Sequence, residues 1–233
     1  MPVVSIFQTN QNSGPMFQNA AEKGWIADEA YRLKWFSVEK DGPEEIGHID
    51  IQVIVEGPTV TTISTIFLKG IHETWTDYSI AEFEGLKPLL HTSLSPQRDL
   101  KIRFGKRAKG VLFDKGSQGR KNIDIGIKGN YFDSAMSHHL VRWSDIEERK
   151  IITIPMFNYQ ANKKAKLIAV KLFDIKKTEY SLKDETLDSW HVKSTSGITN
   201  HQVLTEYTIG RSSRKILRMD IANGARKSFM ERT

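Results

Sequence analysis

No cysteine occurs among the 233 residues, which removes disulfides, thiolate metal sites and a cysteine nucleophile together and leaves the redox compartment open. No apolar run approaches the ~20 residues that a membrane-spanning helix needs. The opening stretch MPVVSIFQTNQNSG lacks the basic start and apolar continuation of a secretory signal. Helix signals are scarce too, and only one segment carries them convincingly. What is present is β-branched and alternating sequence in a chain that is 39% hydrophobic, enough for one large β domain with a buried core. Charged residues make up 27%, and the net charge of +6 biases the surface towards anions such as phosphates, lipid head groups or nucleic acid.

Residues 1–27 mix Gln, Asn, Gly and Pro with scattered aromatics and read as an irregular N-terminal arm with one helical turn at most. The body, 28–233, is expected to be a single domain. Tyr31, Leu33 and Trp35 alternate with Arg32 and Lys34, a half-buried strand. Asp41, Gly42 and Pro43 then turn the chain. The next segment puts Ile49, Ile51, Val53 and Val55 on one face and His48, Asp50 and Gln52 on the other. TVTTISTIFL, HETWTDYSIAEF, KIRFG, KGVLFD and NIDIGIKG continue as short strands between turns, so an antiparallel meander is predicted. One helix is predicted near 133–146, with Asp133 as its cap and Met136, Leu140 and Trp143 at helical spacing. KLIAVKLFDI carries apolar residues on both faces and is predicted to run centrally. SWHVKS, VLTEYTIG, KILRMDIA and RKSFME complete the series.

Chemistry-bearing motifs are few. His138 and His139 point ~100° apart on a helix and cannot ligate one metal together; one packed and one solvated histidine is the simpler expectation. His48 and Asp50 share a face without a third partner. GKRAKGV has two glycines at phosphate-loop spacing, but Val111 stands where the lysine belongs. Glu148 and Lys150 make an acidic-x-lysine pair of the kind found in metal-dependent nucleases, a pattern too short to carry that assignment. The densest basic stretch runs from Lys101 to Lys121. It is expected to meet anionic surfaces through Lys106, Arg107 and Lys109 and not to bind nucleic acid, because no aromatic residues interleave with it as stacking platforms.

Trp190-x-Val192 followed by EYTIGRSSRKILRMDI, with YRLKWFSVEKDGPEEIGHIDIQV near the start, resembles a family of exported bacterial proteins of unknown function, similar in turn to the periplasmic carriers that sort lipoproteins. The resemblance covers Tyr31–Val55 and Trp190–Met230, and the middle by strand pattern alone. It implies a mainly β fold: a strongly curved antiparallel sheet, an unclosed barrel, packed around a central helix. It also implies a periplasmic or envelope location, any signal peptide having been removed. The concavity would take a lipid or other apolar ligand, or a partner chain, against Leu33, Trp35, Ile49, Ile51, Val53, Leu217 and Met219. The hairpin at Glu206–Asp220 would then be structural, with its basic turn in solvent. A monomer with no enzymatic activity, no cofactor and no metal is expected. The alternative is a β-rich enzyme or adhesin that engages an acidic polymer through residues 101–121.

Overall fold

The computed structural model describes residues 16–159, 166–182, 184–199 and 201–233. Helix α1 (Gln18–Glu22) leads into eight successive strands: β1 (Glu29–Glu39), β2 (Gly42–Glu56), β3 (Thr59–Leu68), β4 (Trp75–Glu82), β5 (Pro88–Leu94), β6 (Arg98–Arg103), β7 (Arg107–Asp114) and β8 (Gly119–Gly126). The chain then passes through β9 (Phe132–Asp133), a 3-10 turn (Ser134–Met136) and helix α2 (Ser137–Trp143). A second meander follows: β10 (Ile152–Asn158), β11 (Lys166–Leu182), β12 (Glu185–Ser196), β13 (Val203–Gly210), β14 (Ile216–Asn223) and β15 (Arg226–Arg232).

These form one unclosed sheet of 15 strands ending at β8 and β9, with β1 paired to β15 in the middle. The alternating sequence explains its local geometry. In the β1–β2 hairpin, Glu39 lies opposite Gly42, and Ile49, Ile51 and Val53 all turn inward. Where β8 and β9 fail to pair, side chains bridge the gap. Phe157 and Tyr159, at and just after β10, pack with Leu100, Ile102, Ala108, Leu112 and Ile123 of β6–β8. The rings of Phe104, Tyr131 and Phe157 stand 5.5 to 6.1 Å apart there, within the usual range for aromatic pairs. The open ends are protected as edge strands commonly are: β9 has only two residues, and β8 exposes Arg120 and Lys121.

A curved sheet with one apolar face needs something inside it. Met136, Leu140, Val141 and Trp143 of the turn and α2 fill the interior, each no more than 1% exposed. Asp133 caps this segment by accepting from Ala135 N at 3.0 Å. The helical stretch ends before the predicted 146, because Ser144 turns extended (ψ 158°) and its hydroxyl donates to Val141 O. Of the predicted arm, residues 1–15 lie outside the described residues, while Phe17, Ala20 and Ile26 enter the main core at 0 to 3% exposure.

Two expectations fail for identifiable reasons. β11 is not central, since it lies two places from the β9 end, and Leu167 on its outer face is 42% exposed because no second layer covers the sheet there. Leu217 does not share the inward face with Met219. A bulge pairs Thr208 with Arg218 and Ile209 with Ile216, leaving Leu217 opposite no residue and outside the apolar cluster that Ile216 and Met219 join.

Gly47 sits opposite Trp35 at the register shift of β1–β2, and a Cβ there would lie 2.1 Å from Phe67 O. Gly47→Ala should therefore force β2 and β3 apart and lower the free energy of unfolding in urea by about 1–3 kcal/mol or more. An unchanged midpoint would mean that the ladder gives way freely at this point.

Candidate functional site

The residues expected to line a concavity are brought together, but as packed core. Leu33 is 0%, Val53 and Met219 1%, Ile51 3% and Ile49 7% exposed, all in the cluster that contains α2. Trp35 is half-buried against it, and Leu217 is buried outside it. Two clefts stand out in the described surface. One, of about 370 Å³, lies among Glu45, Gly47, His48, Phe67, Leu68 and Lys69; the other, of about 270 Å³, includes Leu204, Glu206, Asp220 and Ile221. Neither includes any of the seven predicted lining residues.

Polar groups meet inside the barrel at two places. In the first, Asp133 accepts from the Ser79 hydroxyl at 2.7 Å and from His91 Nδ1 at 2.9 Å, while His91 Nε2 faces Asp77 at 3.7 Å. Burial alone would lower the His91 pKa, but the Asp133 charge and hydrogen bond, joined by Asp77, outweigh it and raise the value to about 10. An imidazole that keeps its proton at neutral pH cannot take one from a substrate. Ser79, moreover, donates to the carboxylate and not to the histidine. The group is a tether between the β4–β5 wall and the entry to α2.

The second place is the C-terminal half of α2. Arg142, 1% exposed, pairs with Glu29, donates to His139 Nδ1 at 3.1 and 3.3 Å and to Arg214 O at 3.2 Å, and lies 4.7 Å from the Trp143 ring. Neither histidine is a free side chain in solvent, contrary to the expectation for one of them: His139 is buried at 2% exposure, and half-buried His138 shares a 3.0 Å hydrogen bond with the Tyr207 hydroxyl. Burial lowers both histidines, His138 to about 4.

Arg214 overturns the reading of its hairpin turn as a solvated end. It is 4% exposed, sits at φ 54° and stacks its guanidinium 3.8 Å from the Trp25 ring. Burial pulls its pKa down to about 10, with the Asp145 charge opposing. Nothing in the spacing of RSSRK distinguishes it from its exposed neighbours. The sequence signal that could have found it is Trp25, an aromatic in need of a lid.

The basic strip is exposed on the outer face of the β6–β8 region. Lys106 precedes β7 in the turn, Arg107 donates to Asp124 at 2.5 Å, and Lys109 lies opposite Asp124 across the ladder. Glu148 and Lys150 are taken up in exposed ion pairs with Lys177 and Glu147. Among the described residues, no group of three or more His, Asp or Glu side chains could hold a metal ion. No described helix is long and apolar enough to cross a membrane.

The architecture defines a barrel-like protein, antiparallel except where β9 joins β10, with a helix-filled interior. The chain belongs to the family described as "Protein of unknown function (DUF3108)", whose model matches residues 30–231. No curated protein matches it. Among solved structures it is similar to a beta-barrel-like protein of the domain of unknown function DUF1849 from Brucella abortus. That likeness has a TM-score of 0.56 at 7% identity over 89% of this chain and 96% of the other, and it supports the fold alone.

The two titrating histidines set opposite limits on stability. His91, raised from 6.5 to about 10, contributes stability that is fully present below pH 6.5 and is lost as pH rises towards 10. His138, lowered to about 4, makes the protein lose stability as pH falls from 6.5 towards 4, because the unfolded chain takes up the proton first. Unfolding free energy against pH should thus be dome-shaped, and His91→Gln should flatten its alkaline limb while leaving the acid limb in place.

Proposed function

We propose that this chain is a non-enzymatic protein of the cell envelope that carries an acyl-type apolar ligand inside its barrel, in the space that Phe17 and α1 occupy here. The observation behind this reading is how Met16–Ile26 is held. Phe17 packs edge-on against Phe132, with ring centroids 4.8 Å apart, and Ala20 and Ile26 are buried beside the α2 cluster. Yet the backbone hydrogen bonds of this stretch close on itself: Ala20 N to Phe17 O, Lys23 N to Asn19 O and Trp25 N to Ala20 O. The links outward are the Lys23–Asp145 ion pair at 3.8 Å, the Arg214 stack on Trp25 and apolar packing. A plug held by packing can be exchanged for another apolar body without breaking a sheet ladder.

The envelope setting and the kinship with lipoprotein carriers rest on the resemblance of the terminal hairpins. The Lys106, Arg107 and Lys109 strip then serves to bring the protein to anionic surfaces. Reversing these three residues to Glu should weaken binding to anionic vesicles in a strongly salt-dependent way and shift the thermal midpoint little, since the charges are exposed. Retained vesicle binding after the reversal would remove the strip from that role.

Phe17→Ala tests the plug. It should cost about 3–5 kcal/mol of stability. It should also raise the apparent affinity for a fluorescent fatty acid such as cis-parinaric acid by about tenfold or more, because a weaker plug leaves the binding-competent state more populated. If neither wild type nor variant takes up the probe, the barrel is a filled scaffold and the carrier reading is abandoned.

A further inference from the structure

We infer that the mouth of the barrel beside the plug is a recognition site for an anionic head group, a carboxylate or a phosphate monoester, so that the ligand is an amphipathic anion and not a neutral lipid. This deepens the carrier reading and rests on it. The observation is a surplus of buried donors. Around Arg142, five donor groups on four side chains are buried and make no hydrogen bond: Arg214 Nε and Nη1, Arg232 Nη1, Trp143 Nε1 and the Tyr31 hydroxyl.

The charge count at this spot is also one-sided. Arg142 uses Glu29, and Asp145, the carboxylate acting on Arg214, is already paired with Lys23 at 3.8 Å. Arg232 lies 4.3 Å over the Tyr31 ring and shares the field of Glu29 with Arg142. Burial lowers the pKa of both Arg214 and Arg232, in keeping with cations that have open donors and, among the described residues, no carboxylate of their own within ion-pair distance. Buried donors in a folded protein are normally satisfied, and those left open mark a place where an acceptor belongs.

Position connects this surplus to the plug. The Arg214 guanidinium is covered by Trp25, which lies at the end of the segment whose Phe17 fills the core. When that segment gives way to an acyl chain, Trp25 leaves the guanidinium with it. Nε and Nη1 of Arg214, on different edges of the guanidinium, then each have a charge-assisted hydrogen bond to give, one to an oxygen of the head group.

Isothermal titration with decanoate, decyl phosphate and 1-decanol separates head from tail. In the wild type, at least one of the two anions should bind about tenfold or more tightly than the alcohol, as expected for a charge-assisted hydrogen bond made in a buried site. The anion with the larger preference identifies the head group. Arg214→Gln should reduce the preference to about twofold or less while decanol binds as before. The backbone carbonyl to which Arg142 donates is retained in this variant. Arg214→Lys, which keeps a charge but lacks the planar guanidinium donors, should lose part of the preference and decides the matter if Arg214→Gln does not fold. Equal binding of anions and alcohol by the wild type, or a preference that survives substitution of Arg214, overturns this inference and leaves the carrier reading standing. Failure of all three ligands to bind overturns both.

Discussion

A single curved sheet can bury only one of its faces, and nearly everything else in this molecule follows from having to fill the space that face encloses. Fifteen strands enclose more volume than their own side chains occupy, so the chain sends Phe17, Met136, Leu140 and Trp143 inward from segments outside the sheet. Helical backbone suits this task because it satisfies its own hydrogen bonds where no ladder can reach. Polar side chains travel inward with it, and each must find a partner there. Asp133 meets Ser79 and His91, Arg142 meets Glu29 and His139, and His138 meets Tyr207.

These buried polar contacts are few and long in sequence, and they do different things. The Asp133–His91 bond spans 42 residues and fixes where the helical segment enters. The Arg142 group spans β1, α2 and the β13–β14 turn, joining the two meanders through the helix between them. Breaking one partner of either group would strand a charge in a poorly solvated place, which costs more than the intact pair contributes. Their value is therefore chiefly in specifying one arrangement of the filling against others of similar apolar content.

The hairpins were readable from the sequence because their signal is local. Ile49, Ile51 and Val53 announce an inward face by alternation alone, and Asp133, Met136, Leu140 and Trp143 announce a short capped helix. Four features were not readable from local sequence. The bulge at Leu217 shifts the face of a strand by one residue without changing its composition. The exposed outer face of β11 reflects the absence of a covering layer, which apolar content cannot reveal. Arg214 is buried by Trp25, nearly two hundred residues earlier in the chain, and a turn sequence carries no record of such a partner. The central helix was foreseen as filling, but the share of Phe17 in it was not: Phe17 lies in a stretch rich in Gln, Asn and Gly, whose composition suggests an arm, yet one aromatic ring is enough to anchor it in the core.

The pairing of β1 with β15 has a consequence for assembly. Each meander can zip up from neighbouring hairpins as it is made, but the seam between them waits for Arg226–Arg232. Until that strand exists, β1 is an unpaired edge with Tyr31, Leu33 and Trp35 along it, and the interior has only one wall. Among the ladders of this sheet, the edge of β1 that faces β15 therefore waits for its partner across the longest stretch of chain, which makes it the edge most in need of protection while the chain is incomplete.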